Sequence, residues 1–516
     1  MKKMHSILIV LLLNFSIGFA QENLRIIEGL SIESEILGQA VKYSIILPEE
    51  YHATKKSYPV VYLLHGLGDD ESSWLEYGRV NQYTDGAVKQ GDIQPMIYVM
   101  PQGFRNYYVN DYAGTFLYED MFIDELIPFI DNTYRTIPDR DHRATMGYSM
   151  GGYGALILPL KHPEVFTISV PLSISVRTDQ QYMTEDASGW DDQWGRLFGG
   201  VSETGENRIT DYYKQHSPFH IFKAPNLTKF SDLKLYIDNG DDEYTLCRSN
   251  EELHILLRDR NFPHEFRVRD GGHEFSYWRE ALPNGLRFIS DAFDGKKYRG
   301  DIRAVEDTIP TNADIRIIKE TQYEIVLPDD YSISNRLYPV VFFIGDFQSQ
   351  EKKDIIEKVQ YDMETGHLAP MIVAFINEDE TGLLETIIPD IERNYRARSG
   401  YRFRALIGYN KGGATALEYA LNPEVFTSCV VFDAPLDCSS LEEAFSKNKK
   451  ALHRTWYFIN TTEDNPNYQA NGCAHVFLRE EDVYHEYRVR ESTGRDANDL
   501  VGLSEALRFT QRKIHR

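Results

Sequence analysis

The sequence predicts an α/β protein built of two tandem domains, each with a mostly parallel central sheet and helices on both faces. Three observations lead to this prediction. The chain has 516 residues, which is more than one hydrophobic core usually organises. Short apolar runs alternate with segments of helical periodicity, a pattern typical of such sheets. Motifs of the first half also recur in the second half, in the same order.

Composition and charge limit the functions to consider. Apolar residues make up 42% of the chain and charged residues 26%, as in ordinary globular proteins. The net charge of −24, without a basic cluster, argues against nucleic acid as a partner. The four cysteines lack metal-ligand spacing, so we expect no metal and no cofactor. Cys429, Cys438 and Cys473 could include one disulfide, but the sequence does not say which.

Residues 1–20 have the three regions of a signal peptide. Two lysines follow the first methionine, the apolar run 7–19 comes next, and small residues end at Ala20. Asn14 and Ser16 interrupt the apolar run, which is shorter than the ~20 residues needed to span a bilayer. We therefore expect cleavage after Ala20, export to the periplasm or beyond, and no membrane span in the mature chain.

An internal repeat defines the two domains. Four pairs of segments match: 46–51 with 326–331, 58–61 with 338–341, 162–167 with 422–427, and 264–269 with 485–490. Because the spacing between partners shrinks along the chain, the second copy has lost loops while keeping the framework. We predict a first domain over residues 21–297 and a second over 305–516, joined by the polar stretch 294–311.

The elements of the first copy follow from its apolar pattern. Six buried strands are predicted, at 60–64, 96–100, 144–148, 166–172, 235–238 and 265–268. Helical faces are predicted within 118–134 and 250–260. Since active sites on parallel sheets form at the carboxyl ends of the strands, chemistry is expected there.

Ser149 is the candidate nucleophile. It lies in Gly147-Tyr148-Ser149-Met150-Gly151-Gly152, directly after a predicted strand and before the helical run 153–160. A sharp turn from strand to helix crowds the neighbours of the serine, so glycines are needed two residues before and two after it. The alternative is a glycine-rich turn whose serine only caps the helix.

The serine needs a base and an acid, which in this arrangement follow it in the order acid, then histidine. His273 comes just after the last predicted strand, in a loop of small residues, and is the predicted base. The acid should follow strand 235–238. Spacing favours Glu243, with Asp242 as the alternative, while the acidic turn could also be merely solvated.

Two backbone N–H groups should hold the oxyanion of an acyl-transfer intermediate. Met150, which follows the nucleophile, is predicted to supply the first. Leu67, in the loop 65–68 after the strand 60–64, is predicted to supply the second. We interpret His65 as a residue that stabilises this loop rather than as a second base.

With the segments 65–68, 147–152 and 271–273, the first copy resembles the putative esterase family of α/β-hydrolases. This family includes esterase D, enterochelin esterases, mycolyltransferases, and the acetylxylan and feruloyl esterases of carbohydrate esterase family 1. The resemblance spans roughly residues 26–293. It implies that Ser149 is acylated, that His273 moves the proton and that water releases the acid. Glu243 departs from the aspartate that is more usual at the acid position.

Five aromatic residues near the predicted active-site edge are candidate substrate contacts: Trp74, Tyr148, Trp190, Trp194 and Trp278. Their rings could stack on sugars or on a feruloyl group, or could simply pack the loops onto the domain. The favoured function is an exported serine esterase acting on acetyl or feruloyl esters of plant polysaccharide. The alternatives are a siderophore-ester hydrolase, an acyltransferase, and a non-enzymatic glycan-binding or scaffold protein.

The second copy is predicted to be inactive. Aligned on the repeat, Asn410 replaces Ser149 and Gly494 replaces His273, while Asp464 keeps the acid. Without a nucleophile and a base, acyl transfer by this mechanism cannot occur. We therefore predict a degenerate α/β-hydrolase domain.

Overall fold

The computed structural model describes residues 24–302, 317–422, 424–463, 465–490 and 500–514. The signal peptide predicted at residues 1–20 lies outside this range, as does part of the predicted join. The chain divides into two compact units, Met1–Val305 and Glu306–Arg516. Two tandem α/β domains are thereby confirmed, whereas the exact bounds 21–297 and 305–516 stay predictions.

The first domain has a sheet whose described strands lie in the order β1-β2-β4-β3-β5-β6-β7-β8. Strands β1 and β2 are antiparallel to their neighbours, and the others are mutually parallel. The strands are β1 Ile26–Ser34, β2 Gln39–Ile46, β3 Val60–Leu64, β4 Ile97–Pro101, β5 Arg143–Tyr148, β6 Ile168–Leu172, β7 Lys234–Gly240 and β8 Glu265–Arg269.

Burial explains why most of the six predicted strands were found. Every residue of β3, β4, β5 and β6 is buried, as expected for parallel strands with both faces covered. Strand β8 pairs with β7, but none of its residues is buried, so the prediction of a buried strand at 265–268 is wrong in that respect. Strands β1 and β2 were not predicted; in β1, exposed residues interrupt the apolar ones and a bulge lies between Ile27 and Leu30. Gly29 allows this bulge with a φ of 71°.

Helices cover the first sheet. They are α1 Ser73–Glu76, α2 Val80–Lys89, α3 Tyr118–Asp120, α4 Ile127–Thr133, α5 Met150–Lys161, α6 Asp179–Thr184, α7 Ala187–Trp190, α8 Arg196–Phe198, α9 Asp211–His216, α10 Pro218–Lys223, α11 Thr245–Asp259 and α12 Phe275–Phe293. A π-helical stretch, Met121–Leu126, joins α3 to α4. The helix predicted at 118–134 is therefore present with a widened turn.

The second domain repeats this topology. Its described strands are β9 Ile317–Lys319, β10 Tyr323–Val326, β11 Val340–Ile344, β12 Ile372–Ile376, β13 Arg404–Tyr409, β14 Ser428–Phe432, β15 Trp456–Thr462 and β16 His485–Arg490. Their order, β9-β10-β12-β11-β13-β14-β15-β16, is that of the first sheet. The helices are α13 Ser349–Glu364, α14 Ile388–Asn394, α15 Lys411–Ala420, α16 Cys438–Lys447, α17 Lys449–Leu452, α18 Tyr468–Glu480 and α19 Leu500–Gln511.

The two copies differ most after their sixth strand. In the first domain residues 173–233 separate β6 from β7 and carry helices α6 to α10. In the second domain only residues 433–455 separate β14 from β15, with helices α16 and α17. The large insertion of the first domain therefore lies at the carboxyl end of β6, next to the strand that leads to Ser149.

Cys473 is disulfide-bonded, and Cys247 and Cys429 are not. Within the described part of the chain, we find no helix long and apolar enough to cross a membrane.

A buried polar cluster fastens helix α5, which begins directly after Ser149, to helix α9. His216 is 2% exposed, donates from Nδ1 to the Tyr212 carbonyl at 2.8 Å, and accepts from Lys161 Nζ at 2.9 Å. Burial, reinforced by the Lys161 charge, lowers the pKa of His216 to about 4. His216 is therefore neutral in the folded protein at pH 5 to 7.

This histidine should make the first domain sensitive to acid. In the unfolded chain its pKa is about 6.5. Below that pH, His216 is protonated in the unfolded state but remains unprotonated in the folded state. Between pH 7 and pH 5 this costs about 2 kcal/mol of unfolding free energy. We expect the His216→Gln variant, measured by urea unfolding of the first domain, to lose less stability than the wild type over this interval. An equal loss in both proteins would contradict this account of His216.

Candidate functional site

Ser149 occupies a sharp turn between strand β5 and helix α5. Its φ of 57° and ψ of −118° are unfavourable for a residue with a side chain. A Cβ atom on Gly151 would lie 2.1 Å from the Leu64 carbonyl oxygen, and one on Gly147 would lie 2.3 Å from the Gly151 oxygen. Only glycine fits at both positions, as the motif predicted, and the turn presents Ser149 at the carboxyl edge of the sheet.

The structure brings Ser149, His273 and Glu243 together in one row of hydrogen bonds. His273 Nε2 lies 2.9 Å from Ser149 Oγ, and His273 Nδ1 lies 2.8 Å from Glu243 Oε2. Because a carboxylate only accepts, Nδ1 donates to Glu243, which leaves Nε2 to accept the serine proton. The imidazole is 39% exposed and the Glu243 side chain is fully buried. His273 is thus accessible from solvent, and the carboxylate that bonds to it is buried.

Of the two candidate acids, only Glu243 contacts the imidazole. Its second oxygen, Oε1, accepts hydrogen bonds from the Ser173 hydroxyl and from the Gly240 N–H at 3.2 Å. Asp242 is exposed, and its backbone N–H donates to the Gly271 carbonyl at 3.0 Å. The geometry thus favours Glu243 over Asp242 as the partner of His273.

The loop 65–68 lies against the nucleophile. A Cβ atom on Gly66 would be 3.4 Å from Ser149 Cβ, so Leu67 directly follows a residue that lies against the serine. His65 is buried; its Nδ1 donates to the Gly66 carbonyl at 2.8 Å and its Nε2 accepts from the Gly103 N–H at 2.7 Å. Burial lowers the pKa of His65, which keeps it neutral. These contacts suit a loop-stabilising histidine.

Met150 is the first residue of helix α5. The amide groups of a first helical turn have no partner within the helix and carry partial positive charge, which suits an oxyanion. With Leu67 nearby, two backbone donors can flank the serine hydroxyl. Their role in holding an oxyanion stays a prediction.

The five aromatic residues predicted to contact substrate are inside the domain, and that prediction needs correction. Each is 5% exposed or less: Trp74, Tyr148, Trp190, Trp194 and Trp278. The indole N–H of Trp74 donates to the Leu64 carbonyl and that of Trp190 to the Gly200 carbonyl, both at 3.0 Å. These rings hold the loops onto the domain, because burying a large ring with a satisfied N–H stabilises the fold.

One aromatic residue that the motif analysis did not single out is exposed and is the sequence neighbour of Glu243. Tyr244 directly follows Glu243, is 94% exposed, and has φ 44° and ψ −112°. On its other side the Thr245 carbonyl accepts from Gln181 Nε2, at 2.9 Å, in the insertion after β6. Its only sequence signal was a tyrosine next to the candidate acid, which composition and periodicity do not single out.

The second domain has the same turn between strand and helix, with an asparagine in place of the serine. Asn410 has φ 50° and ψ −122°, nearly the values of Ser149, and is exposed. A Cβ atom on Gly412 would lie 2.2 Å from the Ile344 carbonyl oxygen, as at Gly151 in the first copy. The strand-turn-helix geometry therefore survives where the serine is lost.

The predicted acid of the second copy, Asp464, lies outside the described residues, as does Gly494 at the predicted base position. Before this turn, Asp241 and Glu463 correspond, since their N–H groups donate to the Arg269 and Arg490 carbonyls. After the turn, the hydrogen-bonded pair His254 and His264 corresponds to His475 and His485. The second copy is therefore one residue shorter within the turn, and the assignment of Asp464 stays a prediction.

Asp241, Asp242 and Asp270 have carboxylate oxygens within 4.8 Å of one another, but all three residues are exposed. The Asp241 carboxylate accepts from the Gly271 N–H at 3.0 Å, so it helps to hold the loop before His273. Such exposed groups are common without an ion, and the row from Glu243 to Ser149 needs none.

A cavity of about 1090 Å³ lies at the other end of the strands. Its lining includes Lys234 and Glu265, where strands β7 and β8 begin, together with Arg140 and Phe293. Ser149, Glu243 and His273 are not among its lining residues. The cavity is therefore separate from the candidate site.

Comparison with known proteins gives consistent matches to the first domain. Residues 34–289 match the family model described as putative esterase. An endo-1,4-β-xylanase/feruloyl esterase of Xylanibacter ruminicola is 36% identical over 50% of this chain and 30% of its own length. An esterase of Mycobacterium tuberculosis is 26% identical over 47% of this chain and 54% of its own. The match thus spans between 30% and 54% of the length of these relatives.

Two further matches cover most of the length of the matched protein. An acetyl esterase of Caldicellulosiruptor saccharolyticus is 24% identical over 45% of this chain and 84% of its own length. A solved ferulic acid esterase is 29% identical, covering 51% of this chain and 97% of that chain, with a TM-score of 0.44.

Proposed function

Since the first domain of this chain belongs to the putative esterase family, we propose that the protein is an exported serine esterase that hydrolyses acetyl or feruloyl esters on plant polysaccharide. The observation that carries the proposal is the row of hydrogen bonds from Glu243 through His273 to Ser149. A serine hydroxyl bonded to an imidazole that is oriented by a carboxylate is suited to nucleophilic attack on an ester.

In the proposed mechanism, Ser149 Oγ attacks the ester carbonyl while His273 Nε2 takes its proton. Glu243 stabilises the imidazolium through Nδ1, and the N–H groups of Met150 and Leu67 hold the oxyanion. The imidazolium then gives its proton to the leaving alcohol oxygen, and the acyl-enzyme forms. Water repeats the sequence with His273 as base and releases the carboxylic acid.

The relatives and the exposed ring of Tyr244 support the proposed substrate class. The names of two relatives include feruloyl esterase and acetyl esterase, and a solved relative is a ferulic acid esterase. Tyr244 offers an open aromatic face beside the acid, where a ferulate ring or a sugar could stack. The ring is costly to expose, and its backbone is unfavourable, so a contact made on substrate binding would account for both.

Export is supported by the segment 1–20 and by the disulfide at Cys473. Disulfides persist in oxidising compartments such as the periplasm and the extracellular space. We assign no acyl transfer to the second domain, where Asn410 holds the nucleophile position and Gly494 the predicted base position.

A substrate panel tests the proposal. The mature protein is assayed with p-nitrophenyl acetate, methyl ferulate, acetylated xylan, feruloylated arabinoxylan and a triscatecholate siderophore. We expect turnover of the acetyl and feruloyl esters, and we expect Tyr244→Ala to lower kcat/KM for feruloylated substrates more than for p-nitrophenyl acetate. Tyr484→Ala, which removes a half-exposed tyrosine of the second domain, is the matched control. A protein inert toward all the acetyl and feruloyl esters rules the proposal out.

A further inference from the structure

A buried hydrogen-bonded pair, Ser173 and Trp278, lies behind Glu243. Trp278 Nε1 donates to Ser173 Oγ at 2.8 Å, and the Ser173 hydroxyl bonds to Glu243 Oε1. Ser173 is 0% exposed and Trp278 is 5% exposed. An indole N–H can only donate, so Ser173 accepts from it with a lone pair. The single proton of the serine is then directed to the carboxylate.

Trp278 also contacts His273, the residue that Glu243 orients. Its ring meets the His273 ring edge to face, with centroids 5.0 Å apart and an interplanar angle of 86°. It stacks on Tyr148, at 4.1 Å and 24°. Trp278 therefore touches the imidazole directly and the carboxylate through Ser173.

The backbone of Ser173 indicates that its side chain has a role. The φ of Ser173 is 47°, a conformation that glycine adopts readily and that other residues rarely adopt. Its N–H donates to the Asp238 carbonyl at 2.8 Å. The bond that its hydroxyl makes to Glu243 explains why this position, whose backbone suits glycine, holds a serine.

The second domain has lost this arrangement. Asp433 has φ 50°, and its N–H donates to the Asn460 carbonyl at 2.9 Å, so it occupies the position of Ser173. Its carboxylate accepts from Thr461 Oγ1 at 2.8 Å. An ionised aspartate cannot donate to a neighbouring carboxylate, and the copy without a serine nucleophile is the copy without this donor.

We propose that Ser173 and Trp278 are positioning residues that fix the carboxylate of Glu243 against His273. A glutamate has one more rotatable bond than the aspartate usual at this position, so its carboxylate is harder to hold in one orientation. The donor from Ser173 anchors Oε1, which leaves Oε2 facing His273 Nδ1. Trp278 in turn sets the direction of the serine proton. This inference rests on the proposed esterase function.

Two substitutions and their combination test the pair, with p-nitrophenyl acetate as substrate. Ser173→Gly removes the hydroxyl and relieves the backbone; we expect kcat to fall about 10-fold, the loss expected for one hydrogen bond to a charged group, with KM and the unfolding temperature maintained. Trp278→Phe keeps a ring and removes the N–H; we expect a smaller fall in kcat. In the Ser173→Gly background, Trp278→Phe should lower kcat no further, because phenylalanine keeps a ring against His273 and the lost N–H acts only through Ser173.

The control is Ser169→Ala, which removes a fully buried hydroxyl of strand β6 that donates to the Ala155 carbonyl of helix α5. It should leave kcat within two-fold of the wild type. If the wild type is active and Ser173→Gly leaves its kcat unchanged, the inference is overturned. It is also overturned if the fall in kcat of the double variant equals the product of the falls in the two single variants. A wild type without ester turnover instead defeats the proposed function, so the two failures are distinguishable.

Discussion

Replacing Ser149 with alanine is expected to lower kcat for p-nitrophenyl acetate on the order of 10⁶-fold, as removal of a nucleophile does in enzymes of this mechanism. Ser149 Oγ is the group bonded to His273 Nε2, at 2.9 Å. Without it no acyl-enzyme can form, and only the oxyanion donors and binding contribute. A fluorophosphonate probe should label the wild type and not the variant.

Two controls make the Ser149 result specific. Ser276→Ala changes an exposed serine near His273 whose hydroxyl bonds to Glu274, and it should keep full activity. Adding Asn410→Ser to the Ser149→Ala variant should restore nothing, because Gly494 stands at the predicted base position of that domain. Labelling or turnover that persists in Ser149→Ala would move the chemistry to another residue.

Replacing Glu243 with glutamine should lower kcat about 10³- to 10⁴-fold, with a smaller effect on KM. An amide can donate to Nδ1 instead of accepting from it, which favours the imidazole tautomer whose Nε2 carries a proton and cannot take the one from serine. The Glu243 side chain is fully buried and bonds directly to His273 Nδ1. The measurement is steady-state turnover of p-nitrophenyl acetate.

Asp242→Asn is the matched control, since it makes the same chemical change one residue earlier, on an exposed side chain. It should leave kcat within two-fold of the wild type. If Asp242→Asn were the damaging substitution and Glu243→Gln the harmless one, the geometric choice of acid would be refuted.

Much of this fold could be read from local patterns. Fully buried strands such as Val60–Leu64 show as continuous apolar runs, and the repeat gave the second domain its topology. The turn at Ser149 was also predictable, because Gly147 and Gly151 are required by contacts within a few residues or with the neighbouring strand. Strand β1 was missed because its apolar and exposed residues are mixed.

The choice among polar or aromatic neighbours was not predictable in the same way. Trp278 reads as a candidate substrate contact, yet its ring lies inside the domain, and Tyr244 is the ring that is exposed. Ser173 has no motif, since it meets Glu243 across a separation of 70 residues.

By itself, then, the sequence determined the two α/β domains, the turn that presents Ser149 and the order in which serine, acid and histidine follow one another. The tertiary structure alone decided that Glu243 rather than Asp242 faces His273, which aromatic rings are buried, and that Ser173 supports the carboxylate. The physical reason is the sequence distance over which each feature can be recognised. Buried strands and the turn at Ser149 leave a pattern of apolar residues or glycines within one short segment, whereas side-chain partners depend on which strand ends meet at the edge of the folded sheet.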